Sequence, residues 1–201
     1  MRPSLLGGLI TVVLSSCLWS SRLAGQWLIG VEVGSDRFWG GSVEKAGAGR
    51  SFRPYRPTTF GVGLGRRSGP LGVGLWLHYM AASLALEGSD ALVAAKGVFD
   101  VFGFDPEIIY HIASIGAGNS LLLRGGPLVE IWKTIDEPTK TLVGGQAALS
   151  MSVPLGGRLA ASVLARIALT SSPFTPSQID PNFEPRALWR RGISGRLEYR
   201  L

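Results

Sequence analysis

The alternating pattern of residues 195–201 constrains the fold more than any other part of the chain. Successive side chains of a β-strand point to opposite faces, so alternate positions share a face. The apolar positions are Leu197, Tyr199 and Leu201. The charged positions between them are Arg196, Glu198 and Arg200. The segment therefore predicts a strand with one apolar and one charged face, and the sequence ends on that strand.

The composition favours many such strands over membrane helices. Mean hydropathy is +0.25 and charged residues make up only 17% of the chain, yet beyond the N-terminal segment no run of eighteen apolar residues occurs. A transmembrane helix needs about 20 such residues. High apolarity without long apolar runs is typical of alternating strands, and a length of 201 residues suits one domain.

Residues 1–26 have the pattern of an export signal. Arg2 supplies a positive start, residues 5–18 are apolar and small, and the small residues at 23–25 precede a cleavage point. The expected mature domain is therefore residues 27–201.

A lipoprotein signal is the alternative for the same segment. Residues 14–17 read Leu-Ser-Ser-Cys, which resembles a lipobox, and Cys17 would then be acylated. Cys17 is the only cysteine of the chain, so either form of processing predicts a mature protein without a disulfide.

The alternation predicts eight strands in the mature domain. Their expected ranges are 27–34, 55–65, 71–80, 104–112, 121–132, 141–153, 159–169 and 186–201. Connections are long after the first, third, fifth and seventh strands and short after the others. This rhythm predicts an all-β fold, a closed antiparallel up-and-down barrel with short periplasmic turns and longer external loops. Most strands approach the roughly 9–11 residues that cross a bilayer at a tilt.

Three features favour an apolar face that points outward into lipid. The polar face carries many glycines and small residues, which suits the narrow interior of an eight-stranded barrel. It also carries charges of both signs. Aromatic residues near strand ends on the apolar face predict interfacial girdles; they are Trp27, Tyr110, Trp189 and Tyr199. The alternative is a soluble, lipocalin-like barrel that binds a ligand with an inward apolar face.

The inward charges predict an ion-pair network inside the barrel. Its expected members are Glu32, Glu107, Arg124, Glu130, Arg158, Arg166, Arg190, Arg196 and Glu198. Buried charges destabilise a fold unless they are paired and hydrogen-bonded. Pairing the first and last strands with Trp27 beside Leu201 places Glu32 near Arg196.

Two prolines, Pro106 and Pro127, fall inside the fourth and fifth strands and lie roughly opposite each other in the expected register. Proline cannot donate a hydrogen bond to a sheet. A bulge or weakened pairing is predicted at this point.

In topology and terminal strand, residues 27–201 resemble the small eight-stranded outer-membrane barrels of the OmpA, OmpX and OmpW type. The chain departs from that family at Leu201, where Phe or Trp is usual. The resemblance implies location in the bacterial outer membrane, contact with outer-membrane lipid and lipopolysaccharide, and insertion by the barrel-assembly machinery through the strand that ends at Leu201.

The expected role is structural, adhesive or interactive, through external loops at 35–54, 84–103 and 171–185 whose partners the sequence leaves open. Basic residues in the first loop are either solvated charges or contacts for anionic lipopolysaccharide; they are Arg37, Lys45, Arg50 and Arg53. The scattered Arg and Lys residues argue against nucleic-acid binding. The alternative role is a narrow channel for small or apolar solutes.

A lipid A-modifying enzyme is a further alternative. Its nearest candidate residues are His111 and Ser114, but their spacing does not match the His-x-Ser pattern of the deacylase barrels, and His111 is expected to point inward. No catalytic, cofactor-binding or metal-binding residue is predicted.

Overall fold

The computed structural model describes residues 25–45, 51–87, 92–116, 118–134, 137–174 and 181–201. Most of the expected signal segment, with the lipobox and Cys17, lies outside the described residues, as does Arg50. The described chain forms eight strands. They are β1 (Gln26–Glu44), β2 (Ser51–Ser68), β3 (Leu71–Glu87), β4 (Leu92–Ile115), β5 (Asn119–Thr134), β6 (Glu137–Gly156), β7 (Leu159–Thr170) and β8 (Phe183–Arg200).

The strands form one closed antiparallel barrel. Each strand pairs with the next along the chain, and β8 pairs with β1. Where the two ends of the sheet meet, the backbone N–H of Leu201 donates to the carbonyl oxygen of Trp27 at 3.0 Å. Closure leaves the sheet without an unpaired edge. A sheet can cross a bilayer only in this closed form, because lipid cannot satisfy unpaired backbone groups. The predicted up-and-down barrel of eight strands is confirmed.

The two ends of the barrel differ. One end, which we call the turn end, is where β1 begins and β8 ends. Short turns join β2 to β3 and β6 to β7 there. Gly69 and Gly157 adopt φ values of 61° and 55° there, a left-handed conformation that glycine tolerates best. At the opposite end, which we call the hairpin end, the strands extend beyond the ranges expected from the sequence; β1 continues to Glu44 and β3 to Glu87.

The prediction of long external loops at 35–54 and 84–103 is wrong. Most of these residues lie in strands, because β1 continues to Glu44, β3 to Glu87, and β4 begins at Leu92. β8 also begins earlier than expected, at Phe183. Outside the membrane the outward face no longer has to be apolar, so the alternation disappears from the sequence while backbone pairing continues.

The apolar face of the barrel points outward. Val31 is 52% exposed and Ile167 is 54% exposed, whereas Glu32 and Arg196 are 2% and 3% exposed. The soluble-barrel alternative, which needs apolar residues inside, is therefore wrong. The aromatics Trp27, Tyr110, Trp189 and Tyr199 are all exposed on this outer face. In the part of the chain that the structure describes, no helix is long and apolar enough to cross a membrane.

The predicted weak pairing at the two prolines is confirmed. The ladder between β4 and β5 runs to the Phe104–Val129 pair, stops, and resumes in the same register at the Ile108–Gly125 pair. That register sets Pro106 opposite Pro127, and neither residue has an N–H to donate. The sheet therefore has a local gap in its hydrogen bonding, on one wall of the barrel.

Candidate functional site

The barrel interior holds a cluster of buried charges centred on Glu32. Arg196 donates from Nε and Nη2 to Glu32 Oε2 at 2.9 and 2.7 Å. Arg166 donates from Nη2 to Glu32 Oε1 at 2.6 Å. The geometry arises because β1 pairs with β8 so that Glu32 faces Arg196 directly. One carboxylate thus neutralises parts of two guanidinium groups.

A second carboxylate, Glu107, extends the cluster towards the turn end. Its Oε1 accepts from Arg124 Nη1 at 2.7 Å, from Arg196 Nη1 at 3.1 Å and from Trp76 Nε1 at 3.0 Å. Arg124 also donates to Glu198 Oε1 at 3.2 Å. Arg196 therefore bridges Glu32 and Glu107, and its guanidinium lies 3.5 Å from the centre of the Trp76 ring.

Two glycines on β2 make room for this arrangement. A Cβ added at Gly63 would overlap the ring of Trp76, and one added at Gly61 would lie 2.5 Å from His78 Cδ2. His78 lies with Nδ1 2.5 Å from Asp105 Oδ2 and Nε2 3.6 Å from Glu32 Oε1. The Gly-x-Gly pattern of β2 therefore leaves room in the narrow lumen for the side chains of Trp76 and His78.

Nearer the hairpin end, the interior changes from charged to apolar. Glu130 lies between the two regions. It accepts hydrogen bonds from the charged Arg190, from Nη1 at 2.7 Å, and from the aromatic Trp132, from Nε1 at 3.0 Å. Beyond it the buried side chains form an apolar plug. Its members are Phe38, Met80, Ala82, Phe99, Val101, Trp132, Leu142 and Leu188.

Aromatic rings organise the apolar plug. Trp132 meets Phe38 and Phe99 edge-on, with ring centres 6.1 and 5.4 Å apart. Phe174, from the connection between β7 and β8, packs on Phe99 at 6.4 Å. The sequence predicts an interior filled by an ion-pair network, and it does not predict the apolar plug.

Most of the predicted interior charges lie in the cluster, with one correction. Glu32, Glu107, Arg124, Glu130, Arg166, Arg190, Arg196 and Glu198 are buried and in contact as described. Arg158 is exposed in the turn between β6 and β7. β7 begins only at Leu159, so the alternation was extended one residue too far. Asp36, which was assigned to a loop, is also buried, and Thr59 Oγ1 donates to its Oδ2 at 2.5 Å.

Two interior cavities among the described residues are small. One cavity of about 10 Å³ lies beside Trp76 and Glu198, and another of about 10 Å³ lies between Arg124 and Arg166. A water molecule needs roughly 10–15 Å³. Each cavity therefore holds at most one water, and neither provides a path for a solute.

The residues considered for an enzyme or a metal site are separated. Ser114 Oγ lies 3.2 Å from His111 Nε2 at the exposed turn end, whereas His78 is buried in the charged cluster. Within the described ranges no carboxylate forms an ion pair with His111. In the same ranges no group of His, Cys, Asp and Glu is suited to hold a metal ion.

The basic residues of the predicted first loop differ in their surroundings. Lys45 Nζ donates to the carbonyl oxygen of Pro181 at 2.9 Å, and Arg53 Nη1 donates to that of Phe38 at 2.8 Å. Arg37 is exposed on the outer face of β1 and lies opposite Arg191 of β8.

Comparison with known proteins identifies the architecture. No protein-family model and no curated protein sequence matches the chain. Among solved structures, neisserial surface protein A superimposes with a TM-score of 0.56 at 8% identity, covering 86% of this chain and 96% of that one. OprG of Pseudomonas aeruginosa superimposes with a TM-score of 0.51 at 12% identity, covering 89% and 96%.

The fold is that of the small eight-stranded outer-membrane barrels. Since the identities are low, this likeness concerns the fold alone, and it confirms the fold class predicted from the strand pattern. The charged cluster and the apolar plug described above fill the interior of this fold.

Proposed function

We propose that the protein is a closed barrel of the bacterial outer membrane, a rigid anchor that presents its hairpin end to an adhesive or interaction partner. The observation that carries this proposal is the filled interior. The charged cluster spans the lumen from β1 to β4, β5, β7 and β8, and the apolar plug follows it towards the hairpin end. A narrow channel would need a continuous water path instead.

The dimensions of the outer face support a membrane-spanning position. Trp27 and Trp39 both point outward from β1, and the outward positions between them are Ile29, Val31, Val33, Ser35 and Arg37. Twelve residues separate them, which at about 3.3 Å per residue and a tilt of about 40° corresponds to roughly 30 Å across the membrane. That height matches the hydrocarbon thickness of a bilayer, about 30 Å.

The hairpin end is tied together, as a presenting surface requires. Lys45, at the end of β1, donates from its backbone N–H to the carbonyl oxygen of Asn182 at 2.7 Å. Ser172 Oγ donates to the carbonyl oxygen of Gly41 at 2.8 Å. These bonds join the end of β1 to the connection between β7 and β8, so that the two neighbouring connections are held together at the hairpin end.

Conductance in planar bilayers tests the closed lumen. We expect the inserted protein, verified by a heat-modifiable shift in gel migration, to give no stepwise currents, because paired charges and the plug exclude a water path. Regular single-channel steps from protein that passes this insertion control would contradict the closed barrel and favour the channel.

The presenting role has its own test. Ala85 pairs directly with Ala94, so residues 86–93 can be replaced by a two-residue turn without breaking the remaining ladder. We expect the shortened barrel to keep its heat-modifiable shift while cells that produce it lose attachment to host-cell layers. Attachment by the full-length barrel no greater than that of cells lacking it would overturn the presenting role.

A further inference from the structure

Two arginines lie side by side on the outer face, near one aromatic girdle. Arg37 of β1 and Arg191 of β8 are directly opposite each other, and both are exposed. Like charges in this position repel each other. In the described part of the chain neither forms a salt bridge, and the Arg191 guanidinium lies 5.4 Å from the centre of the Trp39 ring. The pair is thus a fixed concentration of positive charge.

A polar recess of about 430 Å³ opens on the hairpin side of this pair. We call it the arginine recess. Arg53 and Arg56 also line it, together with Ser51, and its described lining residues include no Asp or Glu. Arg56 is held there by an irregularity in the pairing of β2 with β3, and its φ is 34°. Four arginines of the described chain therefore line one space.

A lipid-facing groove of about 740 Å³ begins at the same two arginines and is lined mainly by apolar residues. Ala147 and Ala165 keep its floor low, and large side chains stand on either side of them. The large neighbours are Leu123, Leu149, Ile167 and Ile193. Leu149, Ala165 and Ile193 are paired neighbours across β6, β7 and β8, so the groove crosses strands at the level of the arginine pair. Arg37 and Arg191 line both the groove and the recess.

We propose that the recess and the groove form one binding site for a phosphorylated, multiply acylated lipid of the lipid A type. The phosphate is held by Arg37 and Arg191, and one acyl chain lies in the groove. Arginine binds phosphate through paired, charge-assisted hydrogen bonds. The pair lies one outward position on the membrane side of Trp39 and Trp189, which stack at 6.1 Å. This inference rests on the membrane position given under the proposed function.

Charge decides between a lipid and a second copy of the chain as the occupant. A symmetric dimer across this face would bring two arginine pairs together, which repulsion opposes. A lipid with a phosphate headgroup supplies the missing negative charge and fills the groove in the same molecule. A free phosphate would satisfy the recess and leave the groove empty.

The test measures lipid bound to the barrel by native mass spectrometry from detergent micelles. The probes are bisphosphorylated lipid A, dephosphorylated lipid A, phosphatidylcholine and inorganic phosphate. We expect preference for the bisphosphorylated lipid and a loss of roughly 30-fold in its affinity in the Arg37→Gln/Arg191→Gln variant, since each arginine near an anionic lipid contributes about fivefold. Ala165→Leu, which fills the groove, should weaken the binding of lipid A. It should leave unchanged the ability of inorganic phosphate to compete for the arginine recess. Arg158→Gln, exposed at the turn end, is the matched control and should leave affinity unchanged.

Several results would overturn the inference. Equal binding of all lipids, or equal affinity of the double variant and the wild type, would mean a nonspecific lipid shell. Inorganic phosphate that binds as tightly as lipid A would mean a free-anion site. Dimers with no lipid preference would mean an interface between copies. If lipid preference is absent while the barrel remains non-conducting and cells still attach, this inference alone fails and the proposed function stands.

Discussion

Glu32→Gln is expected to reduce the free energy of unfolding by about 3–5 kcal/mol, because it removes the charge that pairs with two buried guanidinium groups. Gln has nearly the same volume, so packing changes little. It has only one acceptor oxygen for the three N–H groups that Arg166 and Arg196 now donate to Glu32. The measurement is a urea unfolding curve of the refolded barrel in lipid vesicles, followed by the heat-modifiable gel shift.

Glu184→Gln is the matched control for that substitution. Glu184 is exposed at the hairpin end of β8, and its replacement should change stability by no more than about 0.5 kcal/mol. Equal effects of the two substitutions would show that Glu32 is hydrated rather than buried among arginines. That result would contradict the charged cluster as the element that closes the lumen.

Trp132→Ala is expected to cost about 3–5 kcal/mol, because it leaves a cavity at the centre of the apolar plug. Trp132 is 2% exposed and contacts Phe38 and Phe99 edge-on. Its loss also removes the Nε1 donor to Glu130, which then relies on Arg190. The same unfolding experiment measures the loss.

Two further variants separate packing from hydrogen bonding. Trp132→Phe keeps an aromatic ring in the plug and removes the donor, so we expect a smaller loss than for Trp132→Ala. Trp39→Ala removes an outward tryptophan that is 41% exposed, and it should also cost less. If Trp39→Ala were the more damaging substitution, the plug would contribute little to stability.

The central pairing of the charged cluster follows from sequence alone. Alternation assigns Glu32 and Arg196 to the inward face, and setting Trp27 beside Leu201 fixes the register between the first and last strands. The structure has this register, with Glu32 opposite Arg196. A period of two makes such an inference strong, because a slip of one residue would turn every side chain to the wrong face.

The extent of the strands outside the membrane did not follow from the sequence. Asp36 and Phe38 stand in a Gly-rich, polar stretch without alternation, yet they point into the barrel because β8 continues to pair with β1. The apolar plug was missed for the same reason, since Phe38 and Phe99 were assigned to loops. The outward pair of Arg37 and Arg191 becomes visible only when the cross-strand register is known.

The charged cluster and the apolar plug both require that the apolar face of each strand meets lipid. Carbene labelling from a diazirine placed in a phospholipid acyl chain tests this with the native chain in vesicles, and mass spectrometry locates the label. Comparing aliphatic residues of both faces controls for chemical reactivity. We predict label on Leu75 and Ile167 and none on Leu122 and Leu164, which are both 0% exposed. Label concentrated on Leu122 and Leu164, with Leu75 and Ile167 unmodified, would contradict the account.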